Sequence, residues 1–167
     1  MSMSVEQRYG IIDPEHEYKD MCSKIENSKW IDCSGGIGEN VGRINPLQVY
    51  NLATVDLEDE YENVKSPLAL HFQNLGTFFS LYFRNQLSVR VTAILNETLE
   101  ELYKNFGITW ETNTSKLKNN QFPIMKDLYD LLLEKHKKET EPKRKEDYEN
   151  LSSIIRELAI RSRFSNV

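Results

Sequence analysis

The sequence predicts an α+β chain that is predominantly α-helical, and three observations carry the prediction. Downstream of Ser66, apolar residues recur at helical spacing in four separate stretches. Upstream, two short apolar runs, residues 8–13 and 29–33, flank a stretch with helical spacing, which reads as strand–helix–strand. Between the two regions, Asp56, Glu58, Asp59, Glu60 and Glu62 form a like-charge run of the kind found in solvated linkers. The expected organisation is an α/β segment at 1–50, an acidic linker at 51–65 and a helical subdomain at 66–167.

In the first segment, Tyr9, Ile11 and Ile12 lie between Gly10 and Pro14, the pattern of a short buried strand. Asp13 is placed to cap the helix that follows, and Pro14 suits its first position, where a missing N–H costs nothing. Glu15 and Glu17 lie in the first turn, where the helix dipole favours negative charge. Tyr18, Met21, Cys22 and Ile25 give that helix a stripe, and it is expected to end near Asn27-Ser28. Trp30 and Ile31 mark the second strand. Two strands are too few for a stable sheet, so further strands must come from elsewhere.

Ser66-Pro67 opens the helical region as a cap followed by proline. Leu68, Phe72, Leu75 and Phe79 form one face, widened by Phe78 and Tyr82. Ser88 caps the next helix, with Val91, Ile94, Leu95, Thr98, Leu99 and Leu102 as its stripe and Gly107 as its stop. Ile108-Thr-Trp110 reads as a short extended piece, followed by a polar loop through Gln121. A third helix opens at Phe122-Pro123 and carries Ile124, Leu128, Leu131 and Leu132 before Pro142 breaks it. The last runs from about 145 to 163 with Tyr148, Leu151, Ile154, Ile155 and Leu158 inward. Four such helices predict a bundle. Its core is expected from Leu68, Phe72, Leu75, Phe79, Ile94, Leu102, Leu128, Leu132, Ile154 and Leu158.

At 167 residues the chain is long enough for a domain with a real core, and a mean hydropathy of −0.58 with 39% hydrophobic residues is polar but not disordered. A net charge of −5 and a pI of about 5.3 argue against direct nucleic-acid binding through phosphate contacts, which depends on clustered Lys and Arg. The densest basic cluster, Lys143-Arg144-Lys145, is flanked by Glu141, Glu146 and Asp147 and reads as a solvated surface. Cys22 and Cys33 make no disulfide framework and are expected to stay reduced. Residues 1–10 have no apolar core of a signal peptide, and no run approaches the roughly 18 apolar residues of a membrane span. No membrane insertion and a cytoplasmic location are expected, including a peripheral one at the inner face of the membrane within a complex.

Few residues suggest chemistry. Asp13 and Glu15 admit two readings: helix capping, or carboxylates at the end of a parallel strand, where open α/β sheets place their ligands. In the second reading they would orient a water or hold Mg²⁺ through water beside a phosphate site. The chain contains no Gly-x-x-x-x-Gly-Lys-Ser/Thr loop and no apolar strand ending in Asp-Glu. The glycine-rich stretch Ser34-Gly-Gly-Ile-Gly-Glu-Asn-Val-Gly42 is not followed by Lys-Ser/Thr and reads as a connector. His16, His71 and His136 are scattered without ligand spacing, so no metal site is expected. His71 reads as a partly buried helix residue.

Ile11-Ile-Asp-Pro-Glu-His-Glu-Tyr18, Trp30-Ile31 with the glycine-rich loop, and Arg43-Ile-Asn-Pro-Leu47 together resemble the AAA-like motor ATPases of conjugative transfer and type IV secretion. These belong to the RecA-like group that also holds the FtsK and HerA translocases. Leu102-Tyr-Lys-Asn-Phe-Gly-Ile-Thr-Trp110 and Phe122-Pro-Ile-Met-Lys-Asp-Leu-Tyr129 are similar to the helical insertion of versions from Gram-positive conjugative elements. The resemblance covers nearly the whole chain and implies a middle segment, lying between the Walker A loop and the Walker B strand. By position, Asp13 and Glu15 match the acidic motif near that family's nucleotide site, and Asn45 and Pro46 match its structural Asn-Pro element. The phosphate-binding lysine, Walker B acids and arginine finger have no counterpart here.

ATP and Mg²⁺ are thus implied for the parent family, while no cofactor and no activity are expected of this chain alone. The implied partners are the remainder of the motor or other secretion-channel subunits. Two functions stay open: a segment of a motor that couples ATP hydrolysis to transfer of DNA or protein, and a free-standing, non-catalytic helical module that binds such a motor or channel.

Overall fold

The computed structural model of the protein describes residues 11, 13, 17–31, 44–49 and 66–161. Two compact units are present, Met1–Gly42 and Arg43–Val167. Glu15, Pro14, the glycine-rich stretch 34–42, the acidic stretch 51–65 and residues 162–163 lie outside the described residues.

In the first unit the expected long helix is a single turn, α1 (Lys19–Cys22). Turns and bends follow it through Asn27, which adopts φ 62°. Local side-chain chemistry explains the shortening. The Ser23 hydroxyl donates to the Asp20 carbonyl at 2.7 Å, and the Ser28 hydroxyl donates to the carbonyls of Ile25 and Cys22. Such bonds offer the backbone an alternative to helical pairing. Asn27 then takes the left-handed conformation, as asparagine tolerates. No strand occurs among the described residues. Lys29, Trp30 and Ile31 are irregular, and the rest of both expected strands, residues 8–10, 12, 32 and 33, lies outside the described set. A strand without a neighbour has no ladder to stabilise it.

The second unit is helical, with α2 (Pro67–Phe83), α3 (Val89–Asn105), α4 (Met125–Lys138) and α5 (Pro142–Arg156), the last continuing into a π-helical turn, Glu157–Arg161. The caps act as the sequence implies: the Ser66 and Ser88 hydroxyls accept from the N–H groups of Ala69 and Val91. At the far end of α3, Gly107 has φ +73°, its N–H reaches the Lys104 carbonyl, and the N–H of Ile108 reaches the Tyr103 carbonyl. That is the paired-bond stop in which a left-handed residue satisfies the last carbonyls, and buried Ile108 supplies its apolar contact.

Two boundaries differ from expectation. Helix α4 starts at Met125 rather than at Phe122-Pro123, because the Asp127 carboxylate reaches back to the Ile124 N–H at 2.9 Å and fixes the start there. Helix α4 ends at Lys138 with Glu139 as its C-cap, short of Pro142, and Pro142 instead opens α5, three residues before the expected start, since proline suits a first helical position.

Helices α3, α4 and α5 pack closely on one another. Arg90 with Asp147 and Arg144 with Glu97 join α3 to α5, and Lys135 with Glu101 joins α4 to α3. Helix α2 joins the core through large side chains: Phe72 lies against Tyr103 and Trp110, and Phe79 and Phe83, stacked on each other along α2, are buried in the shared core. Of the ten expected core residues, Phe72 and Ile154 are half-buried at its rim and the others are buried. Arg84, just after α2, holds φ 50° and ψ −121°, a conformation that glycine ordinarily fills.

One stability prediction arises from α2. Gly76 lies mid-helix on the exposed face, and a Cβ added there meets nothing within 4 Å. Gly76→Ala should raise the stability of the helical unit by about 1 kcal/mol, as read by urea denaturation, because alanine loses less backbone entropy in a helix.

Candidate functional site

The two motifs singled out in the sequence lie in different units. In the first, both Asp13 carboxylate oxygens accept from backbone: Oδ1 from the N–H of Glu17 at 3.0 Å and Oδ2 from the N–H of Tyr18 at 2.9 Å. These donors lie just ahead of α1, one and two residues beyond the N–H groups that an N-cap at Asp13 would reach. The carboxylate therefore organises the entry to α1, with each oxygen already accepting one bond. Around it, among the described residues, no group of three or more His, Cys, Asp or Glu could hold a metal ion.

The second motif is a built structure. Asn45-Pro46-Leu47-Gln48 makes a turn in which the Asn45 carbonyl accepts from the Gln48 N–H at 3.1 Å. The Asn45 side-chain oxygen also accepts from the Leu47 N–H at 3.1 Å. Asparagine mimics a backbone turn in this way, and Pro46 sits where its fixed φ is already correct.

This turn docks on the helical part of its own unit. The Asn45 amide donates to the Pro123 carbonyl at 2.8 Å, and the Gln48 amide donates to Asn119 Oδ1 at 3.0 Å. The Tyr103 hydroxyl, from α3, donates to the Leu47 carbonyl at 2.6 Å. Its oxygen lies 2.8 Å from Nε2 of His71, on α2. Since the single phenolic hydrogen goes to Leu47, His71 carries its proton on Nε2 and donates to Tyr103.

Burial makes the arrangement expensive to disturb. Asn45 is 2% exposed, Leu47 0% and His71 8%. Burial lowers the His71 pKa to about 4, with the Leu47 carbonyl offsetting part of that fall, and it pushes the Tyr103 phenol well above its usual range. The pair is therefore neutral at physiological pH and acts through hydrogen bonding alone. No buried side-chain nitrogen or oxygen among the described residues lacks a partner.

Sequence reasoning reached Asn45 and Pro46 through the resemblance and placed His71 on a helix, but it did not find Tyr103. The available signal was weak: Tyr103 lies four residues after Leu99 and so extends the α3 stripe. Pro46 is half-buried at the turn.

No family model and no curated protein matches this chain. Among solved structures it is similar to VirB4 of Thermoanaerobacter pseudethanolicus, at 40% identity and a TM-score of 0.70, over 89% of this chain and 48% of that one. The chain thus spans about half the length of that relative. At this identity the relation implied by the Asp-Pro-Glu and Ile-Asn-Pro elements is supported, and over this span the chain is VirB4-like, related to the type IV secretion motor ATPases.

Proposed function

We propose that this chain is the part of a VirB4-like motor that carries its helical subdomain and an acidic corner of its nucleotide-binding domain. The whole protein would couple ATP hydrolysis to movement of DNA or protein through an envelope channel. The similarity to VirB4 over 89% of the chain carries this reading. Asp13 and Glu15 would stand near the nucleotide in the whole protein, with ATP and Mg²⁺ held by residues outside this span. The remainder of the motor and the channel subunits would be its partners, on the cytoplasmic side. No helix among the described residues is long and apolar enough to cross a membrane, which is compatible with that placement. The alternative, a non-catalytic interaction module, draws its support from the buried side-chain polar atoms of the helical unit, all of which have a partner among the described residues.

Magnesium-dependent ATP hydrolysis tests both readings. The chain alone should show none above background. A chimera in which it replaces the matching part of the VirB4 relative should hydrolyse ATP. A folded chimera without turnover would favour the interaction module. Turnover by the chain alone, abolished by Asp13→Ala, would overturn both.

A further inference from the structure

Residues 44–49 place Leu47 and Val49 in the apolar core of the unit, and their polar contacts have the form of those of a bound peptide. Asn45, Leu47 and Val49 are buried while Ile44 is exposed and Pro46 and Gln48 are half-buried, so alternate residues enter the unit. Their polar partners come from separate places: the Pro123 carbonyl and Asn119 from the segment before α4, and the Tyr103 hydroxyl from α3. Alternate side chains in pockets, with main-chain groups fixed by hydrogen bonds, are the general features of peptide recognition.

We propose that the helical unit carries a peptide-recognition site for an Asn-Pro turn followed by an apolar residue, filled here in cis by residues 44–49 and open to the same segment supplied in trans. The ligand side is organised before it docks, because the Asn45 side chain and carbonyl close the turn on Leu47 and Gln48 without help from the helices. A ligand folded in advance loses less freedom on binding. The site side is organised too. His71 donates to the Tyr103 oxygen, which leaves the phenolic hydrogen directed at the ligand carbonyl. Each polar group of the turn that enters the unit meets a complementary one. The Asn45 amide finds a carbonyl, and the Leu47 carbonyl finds a hydroxyl. Specificity for asparagine follows, since aspartate would bring a carboxylate against the Pro123 carbonyl and alanine would leave that carbonyl unpaired. This inference stands on the geometry of the helical unit and is independent of the proposed motor function.

The test uses the full chain with Asn45→Ala and Leu47→Ala together, which vacates the site from within. Circular dichroism checks that the helices remain. The probe is the acetylated, amidated peptide Arg-Ile-Asn-Pro-Leu-Gln-Val. Binding is followed by calorimetry and by the fluorescence of Trp110, which lies 5.1 Å from Phe72, itself 5.5 Å from Tyr103. The expected result is saturable one-to-one binding to the double variant. Adding Tyr103→Phe should weaken it about five- to tenfold, the worth of one hydrogen bond, and a peptide with alanine in place of asparagine should bind at least as much more weakly. A helical double variant that does not bind the peptide at millimolar concentration overturns the proposal. So does equal binding of the alanine peptide, and so does loss of the helices in the double variant, which would make residues 44–49 an integral part of the core.

Discussion

Between neutral pH and pH 4, the helical unit is expected to lose up to about 3 kcal/mol of stability through one side chain, His71, whose pKa is lowered from 6.5 to about 4. In the fold the imidazole stays neutral down to about pH 4, whereas in the unfolded chain it takes up a proton near 6.5. Between those values unfolding is coupled to proton uptake, so stability falls as the pH is lowered. Above 6.5 the contribution is constant. The cause is burial: the ring is 8% exposed, and a charge there would lose its water. Protonation also adds a second N–H donor to the ring. Urea denaturation of wild type and His71→Gln across pH 4 to 7 isolates this effect, because surface carboxylates titrate alike in both proteins. Glutamine retains an N–H donor for Tyr103 and does not titrate. The two stability curves should diverge as the pH rises from 4 and run parallel above 6.5. Curves parallel throughout would exclude His71 as the source.

The contrast between the two units shows what a sequence pattern can carry. Helices α2 and α3 were legible because each has a serine cap and a stripe that meets a facing stripe, and Gly107 supplied the end of α3. The pattern of Tyr18, Met21, Cys22 and Ile25 is as regular, yet α1 buries no residue, and Met21 and Ile25 remain 44% and 52% exposed. Periodicity predicts a helix on the condition that something covers the stripe, because most helical stability in proteins comes from tertiary packing. Without that cover, the serines at 23 and 28 decide the local path.

The docked turn was legible in a different proportion. The Asn-Pro pair announces a turn through its own chemistry, and that is what forms. The residues that receive it lie far away in sequence, with Tyr103 56 positions from Leu47 and Pro123 78 from Asn45. A hydroxyl in an apolar stripe carries no local mark of its acceptor. Apolar packing is tolerant of its partner and so leaves periodic traces, whereas a buried polar pair is a specific long-range match that a single sequence does not display. Asp13 shows the converse: capping and catalysis call for the same residue at a helix start, and only the backbone donors at Glu17 and Tyr18 show what its oxygens accept here.

The second large effect is expected from Tyr103→Phe, which should lower the stability of the helical unit by about 2–3 kcal/mol. The ring stays, so contacts with Phe72 and the core persist and no cavity opens. The loss comes from two groups that lose the phenol between them: the His71 Nε2–H, which donated to it, and the Leu47 carbonyl, which accepted from it and keeps only its interaction with His71. Each unpaired buried group costs about 1–3 kcal/mol, more than the roughly 1 kcal/mol net worth of a typical hydrogen bond, so desolvation rather than bond loss dominates. Water can reduce that cost only by reaching the carbonyl of a residue that is 0% exposed, which requires residues 44–49 to lift. The size of the effect therefore reports on the turn. A loss near 3 kcal/mol in urea denaturation means that the turn stays docked with its carbonyl dry. A loss near 1 kcal/mol, with amide exchange accelerated at Leu47 and Gln48 but unchanged in α3 to α5, means that the turn opens to water while the helices hold. No measurable loss would show that the short contacts among His71, Tyr103 and Leu47 do not stabilise the fold. Combining Tyr103→Phe with Asn45→Ala separates these cases further, because two substitutions that release the same turn should cost less together than the sum of their separate effects.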